Sequence, residues 1–279
     1  MNKRPNILIT GVSTGIGLDA AEHLIKQGYH VFGSVRKPAD AKRVQQALGE
    51  HFTPLLFDVT DAKAITTAVE QVQQQVGDAG LCALVNNSGV SGAAPLMYEP
   101  VDDVRKMFEV NVFGLLQVTQ AFLPLLGARE NCPHAPGRLI NISSISGGLV
   151  FPFVGAYGGS KHAVEAFSDA LRRELGIFGI KVIAIEPGNI RTPIWEKSHE
   201  ADQRFAATAY ASHMAKMPAI LAKMGKNGAP PELVSKTILR AIETKRPKTR
   251  YPLTPLWRLS RVLGDGALDL LTKAAMGIK

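Results

Sequence analysis

The stretch that decides the fold is Thr10-Gly11-Val12-Ser13-Thr14-Gly15-Ile16-Gly17, which joins a short apolar segment to an amphipathic one. Three glycines at a strand-to-helix turn let the backbone approach a pyrophosphate, and the helix N-terminus offers unpaired N–H groups and positive potential to phosphates. The spacing departs from the GxGxxG pattern of the general dinucleotide fingerprint. The turn therefore predicts a dinucleotide site, with a tight turn that binds no ligand as the alternative.

Short apolar segments alternate with longer amphipathic segments through the first 190 residues. The apolar segments lack a strict polar alternation, which is typical of strands buried on both faces of a parallel sheet. The predicted strands are Asn6–Thr10, His30–Val35, Phe52–Asp58, Leu81–Asn86, Arg138–Ser143 and Lys181–Glu186. The predicted helices include Ile16–Gln27, Asp61–Val76, Val101–Leu126, Val154–Phe178 and Pro231–Thr244. This pattern predicts an α/β fold, a Rossmann-type doubly wound parallel sheet with helices on both faces. After Pro187 we expect helices without clear strands, forming a helical C-terminal appendage.

Composition excludes several classes of protein. The chain has 279 residues, 46% of them hydrophobic and 20% charged, which is ordinary for a globular protein and unlike a disordered one. Cys82 and Cys132 lie far apart, and no residues at metal-ligand spacing surround them, so we predict neither a disulfide framework nor a metal site. The N-terminal apolar run is too short for a signal peptide, and no window approaches a membrane-spanning helix. We therefore expect a cytoplasmic protein.

The net charge of +8 is concentrated at the C-terminus. Residues 233–279 hold ten Lys and Arg against three acidic residues, which is +7 of the total. No helix-turn-helix or basic and aromatic module accompanies this charge, so we predict no nucleic-acid partner. The tail also carries apolar residues, namely Leu253, Leu256, Trp257, Leu259, Val262 and Leu263. It could therefore make peripheral contact with an anionic membrane, and the alternative is a helix packed on the domain with its cations in solvent.

Two cations follow the second predicted strand. Arg36 and Lys37 stand where a dinucleotide fold faces the adenosine ribose, and no acidic residue ends the strand. An acid there would bond the 2′-hydroxyl of NAD, whereas a guanidinium pairs with the 2′-phosphate of NADP. This favours NADP(H) as the cofactor. The alternative is that both cations are solvated surface groups at the start of a helix.

Tyr157 and Lys161 stand four residues apart in a predicted helix, so their side chains point to the same side of it. A tyrosine with its ordinary pKa of about 10 is a poor base at neutral pH, and a neighbouring ammonium could stabilise its phenolate. Tyr and Lys also meet at this spacing on ordinary helix surfaces, so the pair alone does not identify a site.

Several motifs taken together resemble the short-chain dehydrogenase/reductase family. They are TGVSTGIG at residues 10–17, Asn86-Asn87-Ser88-Gly89, Asn111, Ser143-Ser144, Tyr157-Gly158-Gly159-Ser160-Lys161 and Pro187-Gly188. They occur in order at fitting intervals, and the resemblance covers residues 5–192. A weaker likeness, carried by residues 34–38 and 248–252, is to the retinol and hydroxysteroid dehydrogenase-like members.

The resemblance implies an oxidoreductase that interconverts a carbonyl and a secondary alcohol. It implies that Tyr157 is the general acid or base, that Lys161 binds the nicotinamide ribose and lowers the pKa of Tyr157, and that Ser144 bonds the carbonyl oxygen. Asn111 would hold a water that links Lys161 to solvent, or it could be a buried kink residue. A substrate oxygen that gains negative charge needs donors placed before the reaction, which agrees with these roles. The alternative function is a non-catalytic NAD(P)-binding sensor or scaffold on the same fold.

The resemblance also implies a set of cofactor-binding residues. They are Gly11, Ser13, Thr14, Gly15, Ile16, Gly17, Arg36, Lys37, Asp58, Val59, Asn86, Gly89, Tyr157, Lys161, Pro187, Gly188 and Thr192. Asp58 and Asp61 could instead cap the helix that follows them, and Asn86 could instead tie strand ends together. Ser88 replaces the usual alanine of its motif, and Gly158 and Gly159 are costly in a helix interior unless they permit the close approach of a cofactor or partner helix.

The family pattern further implies an organisation of the whole chain. We expect one domain over residues 1–279, with a cofactor-binding and catalytic core at 5–192, a substrate lid at 193–228 and a basic helical segment at 229–279. The apolar residues of two segments predict a hydrophobic small molecule as substrate, a steroid-, retinoid- or lipid-like alcohol or ketone, although each of these residues could be ordinary core. They are Leu149, Val150, Phe151, Phe153, Val154, Ile194, Trp195, Phe205, Tyr210, Met214, Met217, Ile220 and Met224. We also expect a homodimer or homotetramer formed through the two long helices.

Overall fold

The computed structural model describes residues 4–198, 202–260 and 262–276, without the side chains of 196–198. Residues 199–201 of the expected lid, and 261 and 277–279 of the expected tail, lie outside the described residues. The strands are β1 (Asn6–Ile9), β2 (His30–Val35), β3 (Phe52–Leu56), β4 (Ala83–Asn86), β5 (Arg138–Ile142), β6 (Lys181–Glu186) and β7 (Arg250–Pro252). All pairings are parallel, in the order β3-β2-β1-β4-β5-β6-β7. The doubly wound sheet is thereby confirmed, and its strand order reverses between β1 and β4, where such folds open a crevice for ligands.

Helices cover both faces of this sheet. They are α1 (Gly15–Lys26), α2 (Pro38–Leu48), α3 (Ala62–Val76), α4 (Val101–Phe108), α5 (Leu115–Phe122), α6 (Gly155–Glu174), α7 (Ala211–Met214), α8 (Met217–Lys226), α9 (Glu232–Glu243), α10 (Pro255–Leu259) and α11 (Asp265–Ala275). One buried core packs α1 and α9 against the sheet, and a second packs α3 and α5 against its opposite face. The inner strands are therefore buried on both sides, which explains the continuous apolar runs in the sequence.

The predicted helix Val101–Leu126 is not uniform. A π-helical stretch, Glu109–Gly114, separates α4 from α5, and a 3-10 stretch, Leu123–Leu126, ends the run. By length and mean hydropathy (1.2) this run could cross a membrane, contrary to our expectation that no window approaches such a span. The expectation failed because the residues that interrupt the run are mostly uncharged. Half of the most apolar window is buried within the fold.

The prediction of helices without strands after Pro187 is wrong at one place. β7 pairs with β6, with Ala184 opposite Arg250 and Glu186 opposite Pro252. Three residues are too few to give a periodic signal, and proline is tolerated only on an edge strand. The C-terminal segment therefore joins the sheet before it continues into α10 and α11.

A third buried cluster lies outside the two main cores. It joins α7 and α8 to the loops that follow β4 and β5, with Phe205, Met214 and Met217 at its centre. Met276, which follows α11, is buried in the same cluster. The segment after β6 and the C-terminal tail are therefore packed together over one end of the sheet.

Candidate functional site

A cavity of about 350 Å³ opens at the carboxyl edge of the sheet. Most of the predicted site residues line it, and they come from the segments that follow six different strands and from the long helix α6. The lining includes Gly11, Ser13, Thr14, Gly15, Ile16, Arg36, Lys37, Asp58, Val59, Gly89, Ser144, Tyr157, Lys161, Pro187, Gly188 and Thr192. Three predicted residues, Gly17, Asn86 and Asn111, are not part of the lining. The fold therefore brings together residues that lie up to 181 positions apart in the sequence.

The glycine turn is shaped to receive a phosphate group. Gly11 and Gly15 have positive φ angles of 72° and 62°, which a residue with a side chain adopts only with strain. Thr14 occupies the N-cap of α1 but makes no side-chain hydrogen bond to the helix, so the first N–H groups are not capped by it. A twelve-residue helix with open N–H groups favours an anion at this end. The turn thus fits the pyrophosphate of a dinucleotide.

Gly17, in the first turn of α1, packs against the same glycine turn. A Cβ atom on Gly17 would lie 2.2 Å from Gly11 O and 2.6 Å from Asn87 Nδ2. Asn87 donates from Nδ2 to Thr10 O and Gly11 O at 2.9 and 3.0 Å, which fixes the turn against β4. Gly17 is therefore needed for close packing of α1 on the turn. Asn87, which lines the cavity and was not among the predicted residues, supplies this fixation.

Cations collect where the second strand ends. Arg36 is largely exposed, so its guanidinium is accessible to a phosphate, and its Nη1 also forms an ion pair with Asp58 Oδ2 at 3.7 Å. Arg43 Nη2 donates to Ser13 O at 2.7 Å, which places a further guanidinium against the glycine turn. Prediction from the sequence missed Arg43, because only the packing of α2 brings it to Ser13. This part of the cavity suits a group with extra negative charge, as NADP has.

Asp58 and Asp61 combine the two roles considered for them. Asp58 lines the cavity, and its Oδ1 also accepts hydrogen bonds from Thr60 N and Oγ1 at 3.0 and 2.8 Å. Asp61 caps α3, accepting from Lys63 N and Ala64 N at 3.0 Å each. Capping is therefore the observed role of Asp61.

Asn86 points into the protein rather than into the cavity. Its Nδ2 donates to Thr119 Oγ1 at 2.8 Å and to Asn141 Oδ1 at 2.9 Å. Asn141 in turn donates to Ser168 Oγ on α6. The side chain therefore ties β4 to β5 and α5, which is the alternative role considered for this cofactor-binding candidate. Alternation along a strand sends neighbouring side chains to opposite sides, which is why Asn87 lines the cavity and Asn86 does not.

Ser144, Tyr157 and Lys161 meet at the centre of the cavity. Ser144 Oγ accepts from Ser146 N at 3.1 Å, and the Ser144 side chain is near enough to the Tyr157 hydroxyl to lower its pKa. Lys161 is buried, its Nζ donates to Ile142 O at 2.9 Å, and this ammonium lies 5.8 Å from the centre of the Tyr157 ring. A hydroxyl pair with an adjacent ammonium can stabilise negative charge on a substrate oxygen.

The pKa shifts at this centre follow from burial. Desolvation raises the pKa of Tyr157, and the hydrogen bond from Ser144 opposes that rise only in part. Burial lowers the pKa of Lys161 to about 8, against the opposing charge of Glu165. Burial and Ser144 account for this shift, and the expectation that Lys161 lowers the pKa of Tyr157 stays a prediction.

Asn111 lies at the π-helical stretch between α4 and α5, where it is buried. Its Oδ1 accepts from Val90 N at 2.8 Å, and its Nδ2 donates to Val90 O at 2.9 Å and to Ser160 Oγ at 3.0 Å. Gly89 separates it from the reactive centre, since a Cβ there would lie 3.2 Å from Asn111 Oδ1 and 3.8 Å from Lys161 Nζ. The structure thus shows the helix irregularity that was considered for Asn111, next to Lys161. π-Helical turns are frequent at functional sites.

The two glycines after Tyr157 accommodate neighbouring protein. A Cβ on Gly158 would lie 2.8 Å from Val150 Cγ2, so its absence lets the loop after β5 approach α6. A Cβ on Gly159 would be in ordinary contact with Phe108 of α4, at 3.6 Å. Gly158 is therefore required by a loop rather than by a cofactor or a partner helix.

The other end of the cavity is apolar. Its side chains come from the loop after β5, the segment after β6, α8 and the C-terminus, namely Phe151, Val154, Ile194, Trp195, Leu221, Met224 and Met276. Five of these belong to the predicted substrate-binding set, whereas Leu221 and Met276 were not predicted. Phe205, Met214 and Met217 from that set are buried in the third cluster and do not line the cavity. Within the described ranges, no group of three potential metal ligands is present.

Comparison with known proteins agrees with this geometry. Residues 5–203 match the family model described as short chain dehydrogenase. The chain is 42% identical over 248 residues to NADPH-dependent 3-dehydrocapnine reductase of Ornithobacterium rhinotracheale, which covers 89% of this chain and 87% of that protein. It is 34% identical over 267 residues to human retinol dehydrogenase 5, which covers 90% and 80%. A solved structure described as ElxO with NADP bound has a TM-score of 0.75 at 25% identity and covers 92% of this chain and 99% of that one. The chain therefore belongs to the short-chain dehydrogenase family of oxidoreductases, and NADP(H) is the cofactor that its site favours.

Proposed function

We propose that this oxidoreductase interconverts a hydrophobic ketone and its secondary alcohol, with Tyr157 transferring the proton. The observation that carries the proposal is the pairing of the Tyr157 hydroxyl with Ser144 in a cavity whose far wall is apolar. Two similar proteins are named as a reductase of 3-dehydrocapnine and as a retinol dehydrogenase, which supports a lipid-like substrate. Steroids, retinoids and long-chain ketones are the substrates to test first.

The proton step follows from the positions of two hydroxyl groups. When a carbonyl is reduced, negative charge develops on its oxygen, and donors fixed in advance stabilise that charge. Tyr157 and Ser144 provide two such donors side by side at the centre of the cavity. Because burial raises the pKa of Tyr157, its hydroxyl keeps its proton at neutral pH and is suited to donate it to the substrate oxygen.

The cofactor would be held along the length of the cavity. The nicotinamide supplies or accepts the hydride, and the protein provides binding and orientation. The turn at residues 11–17 would hold the pyrophosphate, Arg36 and Lys37 the 2′-phosphate, Lys161 the ribose and Thr192 the carboxamide. Thr192 lies over the turn, since a Cβ on Gly15 would be 3.3 Å from Thr192 Cβ. Asn111 would hold the water of a proton relay from Lys161 to solvent.

A substrate panel tests this function. Turnover with NADPH should be fastest on steroid, retinoid and long-chain ketones and slow on small polar carbonyls. Tyr157→Phe keeps the ring and its packing but has no proton to give, so its kcat should fall at least about a thousandfold while NADPH still binds. Equal turnover on small polar carbonyls would contradict the substrate class. Activity that survives Tyr157→Phe would contradict the proton-transfer role.

We also propose that the tail brings the cytoplasmic enzyme to membrane surfaces. The described residues of α10, α11 and their connection expose Leu256, Leu259, Val262, Leu270 and Leu271. Trp257 and Met276 are buried against the domain, and Met276 also lines the cavity, so this surface adjoins the substrate end. Co-sedimentation with anionic vesicles should be lost when Leu270 and Leu271 are both changed to Ser. Binding that is unaffected by deletion of 252–279 would contradict the proposal.

A homodimer or homotetramer remains our proposal for the oligomeric state, with residues 193–228 as the lid of each subunit. Phe113, between α4 and α5, and Val101 are exposed apolar residues on the long helical run. Sedimentation velocity should show an oligomer for the native chain and a monomer for Phe113→Asp. A native chain that sediments as a monomer would contradict this proposal.

A further inference from the structure

A buried carboxylate beside Lys161 takes no part in the proton transfer proposed above. Glu165 follows Lys161 by one helical turn on α6, and its side chain is only 7% exposed. Its Oε2 accepts a hydrogen bond from Arg250 Nε at 2.9 Å. Its Oε1 is also buried but has no hydrogen-bond partner among the residues described. An unsatisfied buried carboxylate oxygen is costly, and an ammonium on the adjacent turn of the same helix face offsets that cost.

Several elements build the environment of Glu165. Arg250 comes from β7 and lies 3.0 Å from Asp169 Oδ1 and 3.6 Å from Glu186 Oε1, in addition to its bond with Glu165. From the other side, a Cβ on Gly147 would lie 2.9 Å from Glu165 Cγ and 3.1 Å from Lys161 O. The turn that begins at Ser144 therefore packs directly on the helix segment between Lys161 and Glu165. This arrangement fixes the carboxylate in one position.

We propose that Glu165 is a positioning residue that acts through Lys161, a buried carboxylate held by Arg250 that keeps the neighbouring ammonium charged for the cofactor. The proposal rests on the proposed function, in which Lys161 binds the nicotinamide ribose. Burial lowers the pKa of Lys161 to about 8, and this value already includes the opposing effect of the Glu165 charge. Without Glu165, Lys161 would lose its proton at a lower pH.

Other charged or titratable groups also lie near Lys161 and Glu165. Tyr157 faces Lys161 from α6, and Asp169 of α6, Glu186 of β6 and Arg250 of β7 surround Glu165. Arg172 of α6 bonds to Asp169. Of these groups, Glu165 is the one whose charge acts on the pKa of Lys161. A charge change at Asp169 is therefore a matched control for one at Glu165.

The test measures how the affinity for NADPH changes between pH 7 and 10, with Trp195 fluorescence as the readout. Glu165→Gln removes the charge but keeps an acceptor for Arg250, so the pH at which binding weakens should fall by about one unit. Arg250→Gln leaves Glu165 without its partner cation, so the same midpoint should rise. Asp169→Asn should leave the midpoint where it is in the native enzyme. Glu165→Asp, which retains the charge, should keep most of the native profile.

The outcomes separate this proposal from the function on which it rests. Coincident profiles for the native enzyme and Glu165→Gln would overturn the role of Glu165, and so would an equal shift in Asp169→Asn. If Glu165→Gln does not fold, as judged by circular dichroism, Arg250→Gln provides the test. The absence of an upward shift in the midpoint of that variant would overturn the proposal. A native enzyme that binds NADPH tightly but reduces no ketone would contradict the proposed function instead, and the midpoint shifts would still test Glu165.

Discussion

Replacing Gly17 by Ala should damage the cofactor site through packing alone. The added Cβ would lie 2.2 Å from Gly11 O and 2.6 Å from Asn87 Nδ2, far closer than atoms in contact. Gly17 does not have a positive φ, so the substitution introduces no backbone strain of its own. Because the nearest neighbour is a backbone atom, the turn itself must move. Overpacking of this kind costs about 1–3 kcal/mol in the free energy of unfolding.

Two measurements follow from that estimate. For a chain of this size, about 1–3 kcal/mol corresponds to a fall in Tm of about 2–12 °C. The displaced Gly11 should also weaken NADPH binding at least about tenfold, which is about 1.4 kcal/mol of binding free energy. Calorimetry measures the first effect, and quenching of Trp195 fluorescence measures the second.

Gly176→Ala provides the matched control. A Cβ at Gly176 would have no atom within 4 Å, and its φ is not positive, so we expect stability within about 0.5 kcal/mol of the native protein and unchanged NADPH affinity. The reasoning would be refuted if Gly17→Ala had the native Tm and the native affinity for NADPH. It would also be refuted if both variants lost affinity equally, because the effect would then not arise from the contact with Gly11.

Three further predictions concern the site. Arg36→Ala should weaken NADPH binding by about 1–2 kcal/mol while leaving NADH binding unchanged. If paired titrations give an unaltered preference for NADPH over NADH, Arg36 does not bind the 2′-phosphate. Ser144→Ala should lower kcat/KM about a hundredfold without changing the Kd of NADPH, and a change in Kd alone would assign Ser144 to cofactor binding. Lys161 has a folded-state pKa of about 8, below its ordinary 10.5, so between these pH values the unfolded chain binds more protons and Lys161 contributes stability that rises with pH. In denaturant titrations, the native free energy of unfolding should therefore rise relative to that of Lys161→Met from pH 8 to 10.5, and a constant difference would contradict the shifted pKa.

Most of the sheet and the phosphate-binding turn could be predicted because their signals are local. Burial on both faces leaves continuous apolar runs, and the turn at residues 10–17 needs glycine for reasons of backbone geometry. Six of the seven strands were predicted with their ends shifted by at most two residues. β7 was not predicted because a three-residue strand that contains proline shows no hydrophobic periodicity. Its position depends on β6 and on the carboxylates around Arg250.

Side-chain direction was the harder part of the site. Asn86 and Asn87 are adjacent in the sequence, yet one ties strands together within the protein and the other fixes the glycine turn at the cavity. Met276 and Leu221 line the substrate end although they belong to no motif, because distant helices pack there. Arg43 reaches Ser13 only through the placement of α2.

The sequence by itself determined the order of strands and helices, the phosphate-binding turn and the set of residues that can transfer a proton, since these depend on residue type and short spacing. Only the tertiary structure decided how those groups act on one another. It desolvates Tyr157 so that the pKa of this residue rises, and it brings Arg250 from the last strand to hold Glu165 beside Lys161. Desolvation and charge pairing depend on what surrounds a group in space, and residues far away along the chain supply those surroundings.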